Sequence, residues 1–182
     1  ALNQQNGRII GDGSYYLSNY NHCWCWATWS SRWEYYDHKM KKWSQFVKSD
    51  LISSVITSKK ERDYWIKYVE SIQKYGKPNS WAIRWFTSCL MNGGLTALPN
   101  KNLVLNLGFG PDATHTFKRN SPTKLSSLLK NSSGVLPIKH PSFLLRSAEA
   151  DKYTFKNHYQ NSLLTRVLIK LRVIISKLRI LK

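Results

Sequence analysis

The chain has 182 residues and a mass of 21.2 kDa, room for one ordinary domain with a buried core and too little for two large ones. With 42% hydrophobic residues, eight Trp and ten Tyr, the composition excludes a solvated, core-poor chain. Lys and Arg total 28 against 10 Asp and Glu, a formal net charge of +18, so the expected partner is anionic: phosphates, nucleic acid or anionic lipid.

The sequence starts at Ala1 without Met and reads as a longer sequence cut upstream. It shows no secretory signal pattern, and no apolar run approaches the roughly 20 residues of a membrane span. Three cysteines cannot form an even disulfide framework, and Cys23 and Cys25 are only one residue apart. A reducing, cytoplasmic setting follows. His22, Cys23 and Cys25 invite a zinc reading, but a structural site needs a fourth ligand, usually from a second Cys or His pair further along. The run from Cys23 to Trp26 is therefore expected to be buried and aromatic.

Ala27 to Met40 predicts a helix with Trp29, Trp33 and Tyr36 along one face. Ser49 or Asp50 is placed to cap a short helix carrying Leu51, Ile52, Val55 and Ile56 towards the core. The clearest helix covers Lys60 to Tyr75. Trp65, Tyr68, Val69 and Ile72 share a stripe, Glu61 and Asp63 occupy the first turn where the dipole favours negative charge, and Gly76 and Pro78 stop it. That position makes the two carboxylates a helix-start feature rather than a cation site. Trp81 to Met91 follows, ended by Asn92, Gly93 and Gly94, and two short β-like runs then span Leu95 to Leu98 and Leu103 to Leu107.

The loop from Gly108 to Thr116 gathers glycines, two hydroxyls, one His and one carboxylate after a short strand, a composition suited to close approach by a ligand. It is neither a dinucleotide fingerprint nor a Walker loop. Residues 118–160 are expected to form a basic tail crossing the domain surface. Residues 161–182 form a separate element: Leu164, Val167, Leu168, Leu171 and Ile175 recur at helical steps, with basic residues opposite and no acid. The charge is uneven, since residues 1–112 hold 14 basic and 8 acidic side chains and residues 113–182 hold 14 and 2. Nucleic acid is not the expected partner, because the aromatics sit at core spacing in one part and the basic excess in another. A non-enzymatic anion binder, or a membrane-active protein working through its terminal helix, is the alternative reading.

Three blocks carry a resemblance: Ser14 to Trp29 (SYYLSNYNHCWCWATW) with Trp33 and Tyr36; Ser80 to Trp85 (SWAIRW) leading to Asn92 to Thr96 (NGGLT); and Pro99 to Thr116 (PNKNLVLNLGFGPDATHT). In that order the chain resembles a bacterial group of glycosyltransferase-like proteins, sometimes labelled hemolytic proteins, with a GT-A, nucleotide-diphospho-sugar transferase fold. The resemblance spans about residues 8–116 and implies an α/β class, incomplete at the N-terminus, with residues 1–117 as the C-terminal half of the domain. It implies transfer of a sugar from a nucleotide-diphosphate donor to a hydroxyl of a glycan or lipid-linked acceptor in cell-surface glycan synthesis. It also implies a divalent metal, Mn2+ or Mg2+, whose acidic motif belongs upstream; no D-x-D occurs in this chain.

By the same resemblance His115, with Thr114 and Thr116, reaches the diphosphate or its metal, Gly108 and Gly110 let the loop fold over the donor, and Asp112 is the nearest carboxylate. Trp81 and Arg84 belong to the substrate side: Arg84 either pairs with phosphate or lies over Trp81 on the surface. Two departures are visible. Ala82 stands where many relatives have an Asp suited to act as general base, and Cys25 stands where the family pattern usually shows Gly. The helix expected over 163–182 would lie on an anionic membrane, placing the protein peripherally at its inner face.

Overall fold

The computed structural model describes residues 3–104 and 136–160. In chain order these form β1 (Tyr15–Ser18), α1 (Ser30–Trp33), α2 (Trp43–Lys48), α3 (Leu51–Val55), α4 (Lys59–Tyr75), α5 (Trp81–Met91), β2 (Thr96–Pro99), α6 (Ala148–Thr154) and a π-helical turn (Phe155–Tyr159). The described residues are thus mainly helical with one small sheet. β1 and β2 pair antiparallel, Tyr15 opposite Pro99 and Ser18 opposite Thr96. On the buried face Tyr16 meets Leu98, and Ala150 of α6 packs onto both. Among the described residues no other strand joins this sheet, so the expected α/β class rests on the resemblance.

α4 begins and ends as its sequence predicts, starting one residue earlier. The Ser58 hydroxyl accepts from Glu61 N at 3.4 Å, and Gly76, at φ +68°, turns the chain out while its N–H returns to Ile72 O at 2.8 Å. Trp65, Val69 and Ile72 are buried against Trp43, Ile52, Ile56, Phe86 and Leu90, so α4 is the spine of the core. α5 covers the expected residues, and the first β-like run becomes β2. Leu103 and Val104 belong to no strand, while Leu105 to Leu107 lie outside the described residues.

Three expectations are corrected. The long helix over Ala27 to Met40 shrinks to the single turn of α1, with Trp29 77% exposed and Trp33 also outside the core. Asp37 supplies the reason. Its Oδ1 accepts from Lys39 N at 3.0 Å and its Oδ2 from Lys41 N at 2.6 Å, so the carboxylate holds the backbone in a local turn that competes with helix. In α3, Leu51 faces solvent while Ile52 and Ile56 are buried, and Asp50, in the left-handed region at φ 56°, precedes the helix without a side-chain cap to its backbone.

The third correction concerns the basic surface tail. Its last part enters the core: Ala150, Asp151, Thr154 and Phe155 are buried. Ser147 accepts from Ala150 N at 3.3 Å, and Glu149 and Asp151 occupy the first turn of α6, a helix start legible in the sequence once looked for. Asp151 then fixes α6 to the domain. Its carboxylate accepts from the Ser18 hydroxyl, from Asn19 N at 3.2 Å and from Arg146 Nε at 2.6 Å. Arg146 also donates to Val55 O, and Leu17 bridges Arg146 in parallel register.

Candidate functional site: an indole-walled cleft

The Tyr20 hydroxyl donates to Glu61 Oε1 at 2.5 Å and receives Trp65 Nε1–H at 3.3 Å, which pins the end of the segment leaving β1 against α4. From that anchor the chain runs out through Asn21 and His22 into the tryptophan-rich stretch. Cys25 takes a left-handed conformation, φ 50°. This reversal brings Trp26 back over α5, where its ring centroid lies 5.0 Å from Trp81 and 6.0 Å from Trp85. Trp33 joins the group at 5.1 Å from Trp85 and 5.7 Å from Trp26, and Tyr36 stacks on its other side at 4.5 Å. The four indoles form one aromatic wall whose members support one another.

Beside this wall opens a cleft of about 560 Å³. Its floor is α5, from which Trp85, Ser88 and Cys89 contribute; one side is the stretch Asn21, His22 and Trp26 to Trp29 with Arg32 and Tyr35; the other is the turn from Asn92 to Ala97. Asn92 donates its Nδ2–H to Ser88 O at 2.7 Å, closing α5, and Gly93 at φ +63° lets the chain turn towards β2. Ser88 accepts from Asp37 N at 2.9 Å while donating to Arg84 O at 2.8 Å, so the turn after α1 is tied to the cleft floor. Trp29 and Tyr35 stand largely exposed at the rim.

The electrostatics of the cleft are mild. No Asp or Glu lines it, and Arg32 is its one Lys or Arg among the described residues. His22 is 5% exposed and its Nε2 is buried without a hydrogen-bond partner among them. Burial, with His158 nearby, lowers its pKa to about 4, so the imidazole is neutral at pH 7. Burial likewise pushes the Cys89 thiol up to about 12, which keeps it protonated and makes it a wall rather than a nucleophile. The cleft thus offers apolar ring faces, amide and hydroxyl groups and one cation. Such a surface binds a polyhydroxylated ring, whose C–H faces stack on indole and whose hydroxyls pair with amides at the rim.

Of the residues expected to serve a site, Trp81 is part of the wall through its contact with Trp26 but does not itself line the cleft. Arg84 does not reach the cleft. It is buried, with Nε donating to His38 O at 2.9 Å and a terminal N–H to Ser80 O at 2.8 Å, so neither the surface position nor the phosphate role has a geometric basis. Gly108, Gly110, Asp112, Thr114, His115 and Thr116 lie outside the described residues, as do 163–182. The Cys23 to Trp26 stretch is corrected: both cysteines are exposed and both indoles only half-buried. Burial at one edge still raises the Cys23 pKa. Among the described residues no group of three His, Cys, Asp or Glu gathers as a metal site.

Arg32, Tyr35, Ser88 and Cys89 are cleft residues that sequence reasoning missed. The available signal was their position within or beside the blocks His22 to Trp33 and Trp81 to Thr96, which are distant in sequence and converge here. Among the described residues no helix is long and apolar enough to cross a membrane. No family model, curated protein or solved structure matches this chain.

Proposed function

We propose that this chain is the acceptor side of a glycosyltransferase of GT-A type, which moves a sugar from a nucleotide-diphosphate donor to a hydroxyl of a cell-surface glycan held in the indole-walled cleft. The observation that supports this reading is the convergence on one cleft of Trp26, Trp29 and Trp85 with Asn21 and Asn92, from two of the blocks that resemble that family, together with Arg32 and Ser88 beside those blocks. The chemistry needs a base for the acceptor hydroxyl and positive charge at the departing diphosphate. Among the described residues no cleft carboxylate supplies the base, and Ala82 at the start of α5 carries none. The residues proposed for those roles are Asp112 and His115, with Thr114, Thr116 and the two glycines of the same loop shaping the donor side. A divalent metal, if bound, would supply charge stabilisation at the diphosphate.

The cleft can be tested apart from catalysis. Titration of the chain with a panel of neutral and acidic oligosaccharides should quench its tryptophan emission, and Trp29→Ala should weaken binding about tenfold, the scale of a lost stacking platform. In a protein competent for transfer, His115→Ala should depress turnover by about 10², as loss of a charge-stabilising or acid/base group does. Absence of any saccharide binding would remove the acceptor reading. Undiminished turnover in the His115 variant would remove the loop's role while leaving the cleft.

A further inference from the structure

The segment that returns along β1 carries several of the most exposed apolar side chains among the described residues, and its backbone is tightly held. Ser14 N donates to Lys139 O at 2.7 Å, Lys139 N donates to Ser14 Oγ at 2.9 Å, and Ser142 N donates to Asp12 Oδ1 at 3.2 Å. The Tyr15 hydroxyl meets His140 Nδ1 at 3.0 Å, and Pro141 packs so closely on Gly13 that a Cβ there would lie 2.7 Å from its nitrogen. Downstream, Ser147 N returns to Leu17 O at 2.8 Å. Between these anchors Phe143, Leu144 and Leu145 are 77%, 67% and 74% exposed, with Leu136 and Ile138 exposed just upstream. A loop fixed at both ends holds its apolar side chains out in water.

The charge around the loop selects the occupant. Residues 136–148 contain Lys139, His140 and Arg146 and no acid. Of the two carboxylates of residues 113–182, Asp151 is buried against Arg146, and Glu149, though exposed, pairs with Arg8; Asp12, which faces the loop, is taken up by the Ser142 N–H and hydroxyl. Lys139, Lys152 and Lys156 remain exposed on the same segment, in a chain of net charge +18. A second copy would bring like charge against like charge. Three side chains also offer far less than the roughly 1,200 Å² that a stable interface buries. A bilayer demands no shape complementarity, takes up a short apolar tip at its interface and, when anionic, attracts the surrounding lysines.

We propose that the loop Phe143–Leu145 inserts into the interfacial region of an anionic lipid bilayer, as a membrane contact separate from residues 163–182. The reading does not depend on the glycosyltransferase proposal, since it uses none of the cleft residues. The test is sedimentation of the full chain with vesicles of phosphatidylcholine containing about 30% phosphatidylserine, against pure phosphatidylcholine, at low and high salt. Binding should require the anionic lipid, and the combined variant Phe143→Ser, Leu144→Ser, Leu145→Ser should lose about tenfold or more in partitioning with an unchanged near-ultraviolet spectrum of its tryptophans. Leu144→Trp supplies an independent readout: the added emission should be quenched by acyl-brominated lipid. Equal sedimentation of wild type and triple variant, no binding of wild type, or an added indole that stays unquenched would each overturn the proposal, as would a dimer in gel filtration that the triple variant abolishes.

Discussion

Cys25 shows how one backbone angle places a site. Its left-handed conformation carries the chain back over α5, and without that reversal Trp26 could not meet Trp81 and Trp85. A side chain in this region costs about 1 kcal/mol relative to glycine, because Cβ crowds the following carbonyl. The thiol is exposed and adds little packing to offset that cost. Cys25→Gly is expected to leave the cleft intact and to raise stability by about 0.5–1 kcal/mol in urea titration. A loss of stability would show that the thiol has a contact worth more than the strain.

Among the elements, α6 is held chiefly by polar groups. Its buried face is short, but Asp151 is fully buried and joins Ser18 and Asn19 at the end of β1 to Arg146, which reaches on to Val55 O at the end of α3. One carboxylate therefore couples the strand, two helices and the returning segment. Removing it leaves the Arg146 guanidinium, the Ser18 hydroxyl and Asn19 N–H without their acceptor, and a buried pair broken on one side costs about 3–5 kcal/mol. Asp151→Ala should therefore lose about that much in denaturant unfolding, a large part of a small domain's stability. Lys59→Ala, which breaks an exposed ion pair with Asp63 on α4, should leave the same measurement close to wild type. Comparable losses in the two variants would place α6 outside the cooperative unit.

At the scale of the molecule, two buried groups respond to acid with opposite signs. His22 folds with its pKa lowered to about 4 by burial, so the unfolded chain takes up its proton first and the stability tied to the neutral imidazole is lost as pH falls from about 6.5 towards 4. Glu61 is raised by burial, against the hydrogen bond from Tyr20, so its contribution is present at acid pH and lost as pH rises through its folded value. The depression of the His22 pKa corresponds to about 3 kcal/mol of acid-sensitive stability. His22→Asn should destabilise the protein at pH 7 and approach wild type near pH 4, narrowing the gap by about that amount in urea titrations. Parallel curves for the two proteins would mean that the imidazole is solvated.

The sequence by itself determined the elements whose signals are local and mutually consistent. α4 carries its cap at Ser58, an apolar stripe and a glycine stop, and α5 is bounded by Ser80 and by Asn92 and Gly93; in both, start, face and end fall within about four turns of chain. The basic excess was also legible, since charge is additive along a chain. Tertiary structure decided whatever required groups far apart to meet. Asp37 turned a helical pattern into a turn once Ser88 accepted its N–H, and Asp151 drew a segment that reads as a surface tail into the core once Ser18 and Arg146 met its carboxylate. The cleft belongs to the same class: Trp26 and Trp85 lie 59 positions apart, and no local pattern tells an indole that fills a core from one that walls a site. That distinction depends on which faces remain exposed after packing, which is fixed only when the whole chain has folded.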